Sequence, residues 1–259
     1  MRQQQFSTHS IDANNSVSKP IHKLDILVFS AHPDDAELSC GGTLIKHAEL
    51  GYKTGIIDLT EGEMGTRGTV EIRYEEAAAS AKILGLSIRE NLKFRDGWFT
   101  DDEAHRLKII QKIRLYQPEI VITNSLDDRH PDHGRAAHMV KEAAWLAGLQ
   151  KIETAHEGIL QTKWRPKHVY HAIQFTPAEP DFIVDIAGFE DRKMAAILAY
   201  STQFYNPEAE ASNTLISQPG FLELLRSRMM SDGNYAEIEK GEAFMSAIKP
   251  AINNLFDLI

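Results

Sequence analysis

The chain has 259 residues, 42% of them hydrophobic and 25% charged, the balance of an ordinary globular domain with enough apolar material for one substantial core. Its formal net charge of -9, with no clustered Lys and Arg, excludes a nucleic-acid partner, and no apolar stretch reaches membrane-spanning length. The single cysteine, Cys40, excludes an intrachain disulfide, and residues 1–20 lack the apolar centre of a signal peptide, so the chain reads as cytoplasmic.

Residues 1–20, rich in Gln, Ser and Asn and closed by Pro20, bury too little to fold and read as a disordered tail, with one domain over 21–259. The apolar run Leu24–Phe29 reads as a buried strand that ends on Ser30-Ala31-His32-Pro33-Asp34-Asp35. A helix follows over Gly41–Leu50, stopped at Gly51, a residue suited to a left-handed cap. The paired Gly41-Gly42 is no phosphate loop; small residues there let a helix approach the sheet. Thr54–Leu59 is the next strand, a glycine-rich loop covers Thr60–Thr69, and Val70–Leu84 has helical composition.

Leu92–Phe94 is a short strand, and Asp102–Tyr116 is a helix with Leu107, Ile110 and Ile113 on one face. Glu119–Asn124 is a further strand, followed by the turn Asp127-Asp128-Arg129-His130-Pro131-Asp132-His133-Gly134 and a helix over Arg135–Ala147. Beyond Gly148 the pattern gives strands at Val169–Phe175 and Phe182–Ile186, helices at Glu190–Tyr200 and Phe221–Met230, and a polar loop over Ser201–Gly220. Strands alternating with helices imply a three-layer α/β/α sandwich on a mostly parallel, Rossmann-like sheet.

Two strands thus end in His/Asp turns, at the edge of an α/β sheet where ligands bind. Two imidazoles and one carboxylate around an open position is a catalytic zinc arrangement, and His32, Asp35 and His133 can supply it. Iron(II) suits the same donors. Asp34, adjacent but not a ligand, is the candidate general base; His130 is placed to hydrogen-bond an oxyanion, with Asp132 to orient or charge it. His22, His47, His105, His138, His156, His168 and His171 have no partner at metal spacing, and Cys40 reads as a small buried residue. Arg67, Arg73 and Arg129 read either as surface salt bridges or as an anion clamp.

With both turns in hand, Ala31-His32-Pro33-Asp34-Asp35 and His130-Pro131-Asp132-His133 resemble the signatures of the LmbE-like, or PIG-L, zinc-dependent de-N-acetylases. Leu59–Thr69, Glu71-Ile72-Arg73 and Glu242-Ala243-Phe244-Met245 are similar to the branch of bacillithiol biosynthesis, which deacetylates N-acetylglucosaminyl malate. The resemblance implies zinc on His32, Asp35 and His133, Asp34 as base, His130 with Asp132 as a charged pair beside the oxyanion, and Arg73 and Arg129 on the substrate. It also implies a small-molecule amino-sugar substrate and a homo-oligomer. Some relatives hold the oxyanion with a tyrosine, but the corresponding segment here reads Gly220-Phe221-Leu222, leaving Tyr200, Tyr205 or no tyrosine at all. Two rival readings are the same chemistry on a chitobiose or inositol conjugate, and a non-catalytic Rossmann-like binding module. The latter calls for a glycine-rich turn where His32–Asp35 stands.

Overall fold

The structure, a computed structural model, describes residues 23–205, 214–254 and 256. The tail expected over 1–20, its junction with the domain, His22 and the middle of the Ser201–Gly220 loop lie outside these residues. In chain order the elements are β1 (Ile26–Ser30), α1 (Asp35–Glu49), β2 (Thr54–Thr60), α2 (Val70–Leu84), β3 (Ile88–Phe94), α3 (Glu103–Tyr116), β4 (Ile120–Thr123) and α4 (Pro131–Leu146). A two-stranded hairpin of β5 (Ala155–His156) and β6 (Ile159–Leu160) follows. The remainder is β7 (His168–Ala172), β8 (Phe182–Asp185), α5 (Glu190–Leu198), α6 (Pro219–Asn234) and β9 (Gly241–Ser246).

Seven strands form one mixed sheet in the order β3-β2-β1-β4-β7-β9-β8. The first five are parallel, and β9 runs antiparallel to both β7 and β8. The chain steps outward from β1 through β2 to β3 and then returns to place β4 on the other side of β1. That reversal opens a crevice at the carboxyl ends of β1 and β4.

Helices cover both faces, which is why β1 is apolar from Ile26 to Phe29 rather than alternating. Leu27 and Phe29 pack with Ile109, Ile110 and Ile113 of α3 and Met139 and Val140 of α4. Ile26 and Val28 turn the other way, onto Cys40, Leu44 and Ile45 of α1 and Ala196 of α5. Burial pushes the Cys40 thiol up, so it is a packing residue and not a reactive one. Of the helical face expected in α3, Ile110 and Ile113 are buried and Leu107 packs against the same core from its margin.

Several boundaries differ from the sequence expectation for identifiable reasons. α4 begins at Pro131 instead of Arg135, because Pro131 fits the first helical position and His130 serves as N-cap. β3 begins at Ile88, four residues before Leu92, since Arg89 and Asn91 look like loop residues until their partners across the sheet are known. β9 has no apolar run to announce it: Glu242 sits inside it, 2% exposed.

α1 contains a kink at Cys40 (φ -140°, ψ 21°) that splits it in two. The kink frees backbone N–H groups, and the Glu242 carboxylate accepts from Gly42 N (2.8 Å) and Thr43 N (2.7 Å) while Lys193 Nζ donates to it at 2.6 Å. Gly42 permits this approach, for a Cβ there would lie 2.9 Å from Ile186 Cδ1 beyond the end of β8. Glu242→Gln would leave Lys193, 3% exposed, without the carboxylate to which its Nζ donates. We expect a loss of about 3 kcal/mol, read as a lower urea midpoint at unchanged slope; an unmoved midpoint would remove Glu242 as a support of α1.

Candidate active site

The two His/Asp turns leave adjacent strands and are tied together by Asn124, immediately after β4. Its Oδ1 accepts from Ala31 N at 2.9 Å and its Nδ2 donates to Asp35 Oδ2 at 3.3 Å. Gln174, beyond β7 and 2% exposed, donates from Nε2 to the other oxygen, Asp35 Oδ1, at 2.8 Å. The Asp35 carboxylate thereby sits between two imidazoles, with Oδ2 3.3 Å from His32 Nδ1 and Oδ1 3.2 Å from His133 Nε2.

Each imidazole is held from behind by a second carboxylate. His32 Nε2 lies 3.0 Å from Asp96 Oδ1 and 3.5 Å from Asp132 Oδ2, and His133 Nδ1 lies 2.9 Å from Asp128 Oδ2. Carboxylate behind imidazole fixes the ring and its tautomer, as metal-binding histidines require. His130 brings a further nitrogen within 4.8 Å of those of His32 and His133.

Electrostatics favour positive charge at this point. Burial opposes charge on His32, but hydrogen bonds with Asp132, Asp35 and Asp96 carry it well above the ordinary histidine range. Burial likewise opposes charge on His133, and Asp35 and Asp128 overcome it, raising His133 to about 9. Burial would raise Asp35, yet His133 and His32 hold it well below the usual carboxylate range. With Asp34, Asp35, Asp96, Asp128 and Asp132 gathered around so small a volume, the site draws protons in the absence of a cation. Among the described residues the donor atoms that come within 4.8 Å of one another are those of His32, His130 and His133 and those of His32, Asp96 and Asp132, with Asp35 reaching His32 and His133 through separate oxygens; nitrogen and oxygen donors of this kind suit a divalent ion.

Asp34 occupies a backbone conformation that L-residues rarely adopt (φ 125°, ψ -25°). The turn is held by Arg73, whose Nη1 donates to Pro33 O at 2.8 Å and lies 3.7 Å from Asp34 Oδ2. Burial pushes the Asp34 carboxyl up to about 7, against the opposing charge of Arg73 and with further help from Asp35. One turn along α1, Glu37 is fully buried and its Oε1 accepts from Ser80 Oγ (2.6 Å), Arg89 Nη1 (2.5 Å) and Tyr200 OH (3.0 Å). Arg89 also grips Asp58 through Nε and Nη2, which anchors the start of α1 to β2 and β3.

His32, Asp34, Asp35, Arg73, Arg129, His130 and His133 all line one cleft of about 340 Å³. Asp132, fully buried, lies behind it. Its carboxylate takes Gly97 N (2.8 Å), Arg135 Nη1 (2.5 Å) and the outer nitrogen of His32, so the expected carboxylate pairing with His130 is replaced by a backbone contact. Asp132 N–H donates to His130 Nδ1 at 3.3 Å, which places the proton of a neutral ring on Nε2. Burial and the neighbouring His32 and His133 lower His130, so it offers an N–H more than a charge.

Arg73 is buried and already engaged with Pro33, whereas Arg129 is exposed at the mouth with its guanidinium 4.1 Å from the centre of the Phe175 ring. The Tyr200 hydroxyl is spent on Glu37, and Tyr205 is not among the residues lining the cleft. His171, buried, holds Asn124 O through Nδ1 at 3.0 Å and takes no part in the donor cluster. Sequence reasoning missed Asn124, Asp96, Asp128 and Gln174 as site residues. Each follows a parallel strand at the same sheet edge, which is the one signal that could have found them.

A mostly parallel, Rossmann-like sheet with a His/Asp cluster at its switch point places the chain among α/β proteins with a polar site at the carboxyl ends of the strands. More narrowly, the chain belongs to the PIG-L family of LmbE-like deacetylases. It matches the family described as GlcNAc-PI de-N-acetylase over residues 27–144, a stretch that includes both His/Asp turns. It is 31% identical to the 4-oxalmesaconate hydratase of Pseudomonas putida over 192 residues, covering 68% of this chain and 73% of that one. It is 30% identical to the diacetylchitobiose deacetylase of Thermococcus kodakarensis over 189 residues, covering 69% and 70%. Among solved structures, the conserved protein TT1542 from Thermus thermophilus superposes with a TM-score of 0.79 at 38% identity, covering 90% of this chain and 98% of that one.

Asp128→Asn should weaken metal binding by about 10- to 100-fold, because the His133 ring loses the carboxylate that orients it. Competition with a chromophoric chelator measures this, and wild-type affinity in the variant would contradict the assignment.

Proposed function

We propose that the chain removes the N-acetyl group from an N-acetylglucosamine conjugate with a carboxylate-bearing aglycone, N-acetylglucosaminyl malate, in bacillithiol biosynthesis. The observation that carries this reading is the single cleft in which a cation-type donor set, a buried carboxylate and an imidazole N–H face one another. His32, Asp35 and His133 would hold a divalent ion, zinc or iron(II), which when bound polarises a carbonyl and acidifies water.

The chain's own groups do the rest. Asp34 lies beside the donor set and takes the proton of the attacking water as its oxygen bonds to the acetamide carbon. His130, with Nδ1 occupied by Asp132 N–H, directs its Nε2 proton to the oxyanion that develops. The carbon–nitrogen bond then breaks, Asp34 passes its proton to the leaving amine, and acetate and a free amino sugar result. Arg73 keeps the strained Pro33-Asp34 turn in place, and Arg129 stands at the mouth, where an anionic aglycone passes.

The relatives support deacetylation of an amino sugar without settling which one, and the likeness to a hydratase gives a second reading in which the same donors assist addition of water to a double bond. Mass spectrometry of the products separates them: a deacetylase lightens its substrate by an acetyl group, a hydratase makes its substrate heavier by one water. On N-acetylglucosaminyl malate we expect loss of acetyl, arrested by chelator and restored by zinc, and slower turnover of neutral N-acetylglucosamine. Asp34→Ala should reduce kcat by about 100-fold or more while the metal content stays at the wild-type level. Near-normal turnover in that variant, or equal efficiency on both sugars, would contradict the reading.

A further inference from the structure

Gln203 follows α5 and reaches the catalytic cleft beside Gly65 and Arg73: the place a Cβ would take on Gly65 is 3.9 Å from Gln203 Oε1 and 3.5 Å from Arg73 Nη2. The side chain is 7% exposed and held at both amide hydrogens, with Nε2 donating to Arg67 O and to Thr202 Oγ1, each at 2.9 Å. We infer that Gln203 is a specificity-determining residue whose side-chain oxygen accepts a hydrogen bond from a hydroxyl of the sugar that places its acetamide in the cleft.

The partners fix which end of the amide faces the cleft. Arg67 O can only accept, and Thr202 Oγ1 spends its one hydrogen on Glu76 Oε2 at 2.9 Å, so the atom between them has to be the nitrogen. The buried Glu76 carboxylate also takes Thr202 N at 2.7 Å, which holds this turn to α2. Oε1 is left with no donor among the described residues. Gln174 Oε1, on the wall of the same cleft, is unpartnered too, but it is sealed from water, whereas Gln203 Oε1 is open to the cleft.

That oxygen is selective because of what surrounds it. Arg129 and His130 offer donors to the cleft, and the carboxylates of Asp35 and Asp96 are committed to imidazoles, so Gln203 supplies a neutral, rigidly held acceptor that no described residue uses. A substrate that displaces water from it must donate a hydrogen or leave a buried amide oxygen unpaired, which is costly. A hydroxyl satisfies this; a carboxylate, which only accepts, is turned away and left to Arg129 over Phe175. The assignment rests on the proposed reading that the substrate is an N-acetylated amino sugar.

The test compares N-acetylglucosamine with analogues that each lack one hydroxyl, on the metal-loaded wild type and Gln203→Met, with turnover measured and binding followed by titration calorimetry. In the wild type one analogue should lose about tenfold in kcat/KM. Gln203→Met should lose about as much on the parent sugar and nothing further on that analogue, since the hydroxyl no longer has its acceptor. Equal losses on every sugar, the mark of a structural role, would overturn the assignment, as would a wild type that treats all analogues like the parent. Should Gln203→Met fail to fold, a crystal structure of the wild type with glucosamine decides: the same hydroxyl within about 3 Å of Oε1 supports the assignment, and its absence there overturns it. If the wild type removes no acetyl group yet binds N-acetylglucosamine with the same pattern of losses, the Gln203 contact stands and the deacetylase reading falls. Absence of both turnover and binding overturns both.

Discussion

The parallel pairing of β1 with β4 is the constraint on which the site depends. Ile26 through Phe29 lie in register with Ile120 through Thr123, so the two chains leave the sheet side by side, 93 residues apart in sequence at Ala31 and Asn124. Without that adjacency His32 and Asp35 would face solvent with no second imidazole. The order reversal at β1 supplies the space between the turns, and the Asn124 amide holds them at a fixed spacing through Ala31 and Asp35.

The site concentrates acidic groups that would destabilise the fold if left alone, and the surrounding structure is arranged to contain them. Asp96 and Asp128 each lean on an imidazole, Asp132 on Arg135 and Gly97, Asp34 near Arg73, and Asp35 between two histidines and two amides. What remains is a negative point framed by nitrogen donors, which is the environment a divalent ion would stabilise. The strained backbone of Asp34 persists because Arg73 holds Pro33 on one side and Glu37, locked by Ser80, Arg89 and Tyr200, anchors the next helical turn. Rigidity around Asp34 comes from buried polar groups, not from the hydrophobic core.

Most of this organisation could be read from the sequence where one residue type carries its own meaning. A run such as Leu24–Phe29 needs no partner to be recognised as a buried strand, and His-Pro-Asp-Asp in a turn after it is chemically unusual. The parallel sheet and the adjacency of His32, Asp35 and His133 follow from strands alternating with helices. What escaped depends on partners far away in sequence. β3 looked short because Arg89 and Asn91 are polar until Asp58, Glu37 and Thr60 are placed opposite them. β9 escaped because Glu242 answers N–H groups exposed by a kink at Cys40, which no local pattern foretells. The direction of the Asp132 carboxylate, toward His32 and away from His130, is likewise a tertiary fact.

Anomalous diffraction from crystals of the zinc-loaded protein tests the central claim most directly. The account predicts one peak within bonding distance of His32 Nδ1, an Asp35 oxygen and His133 Nε2, with Asp34 unbound beside it. A peak on the opposite side of the His32 ring, among Nε2, Asp96 and Asp132, or no peak in the cleft at all, would contradict it.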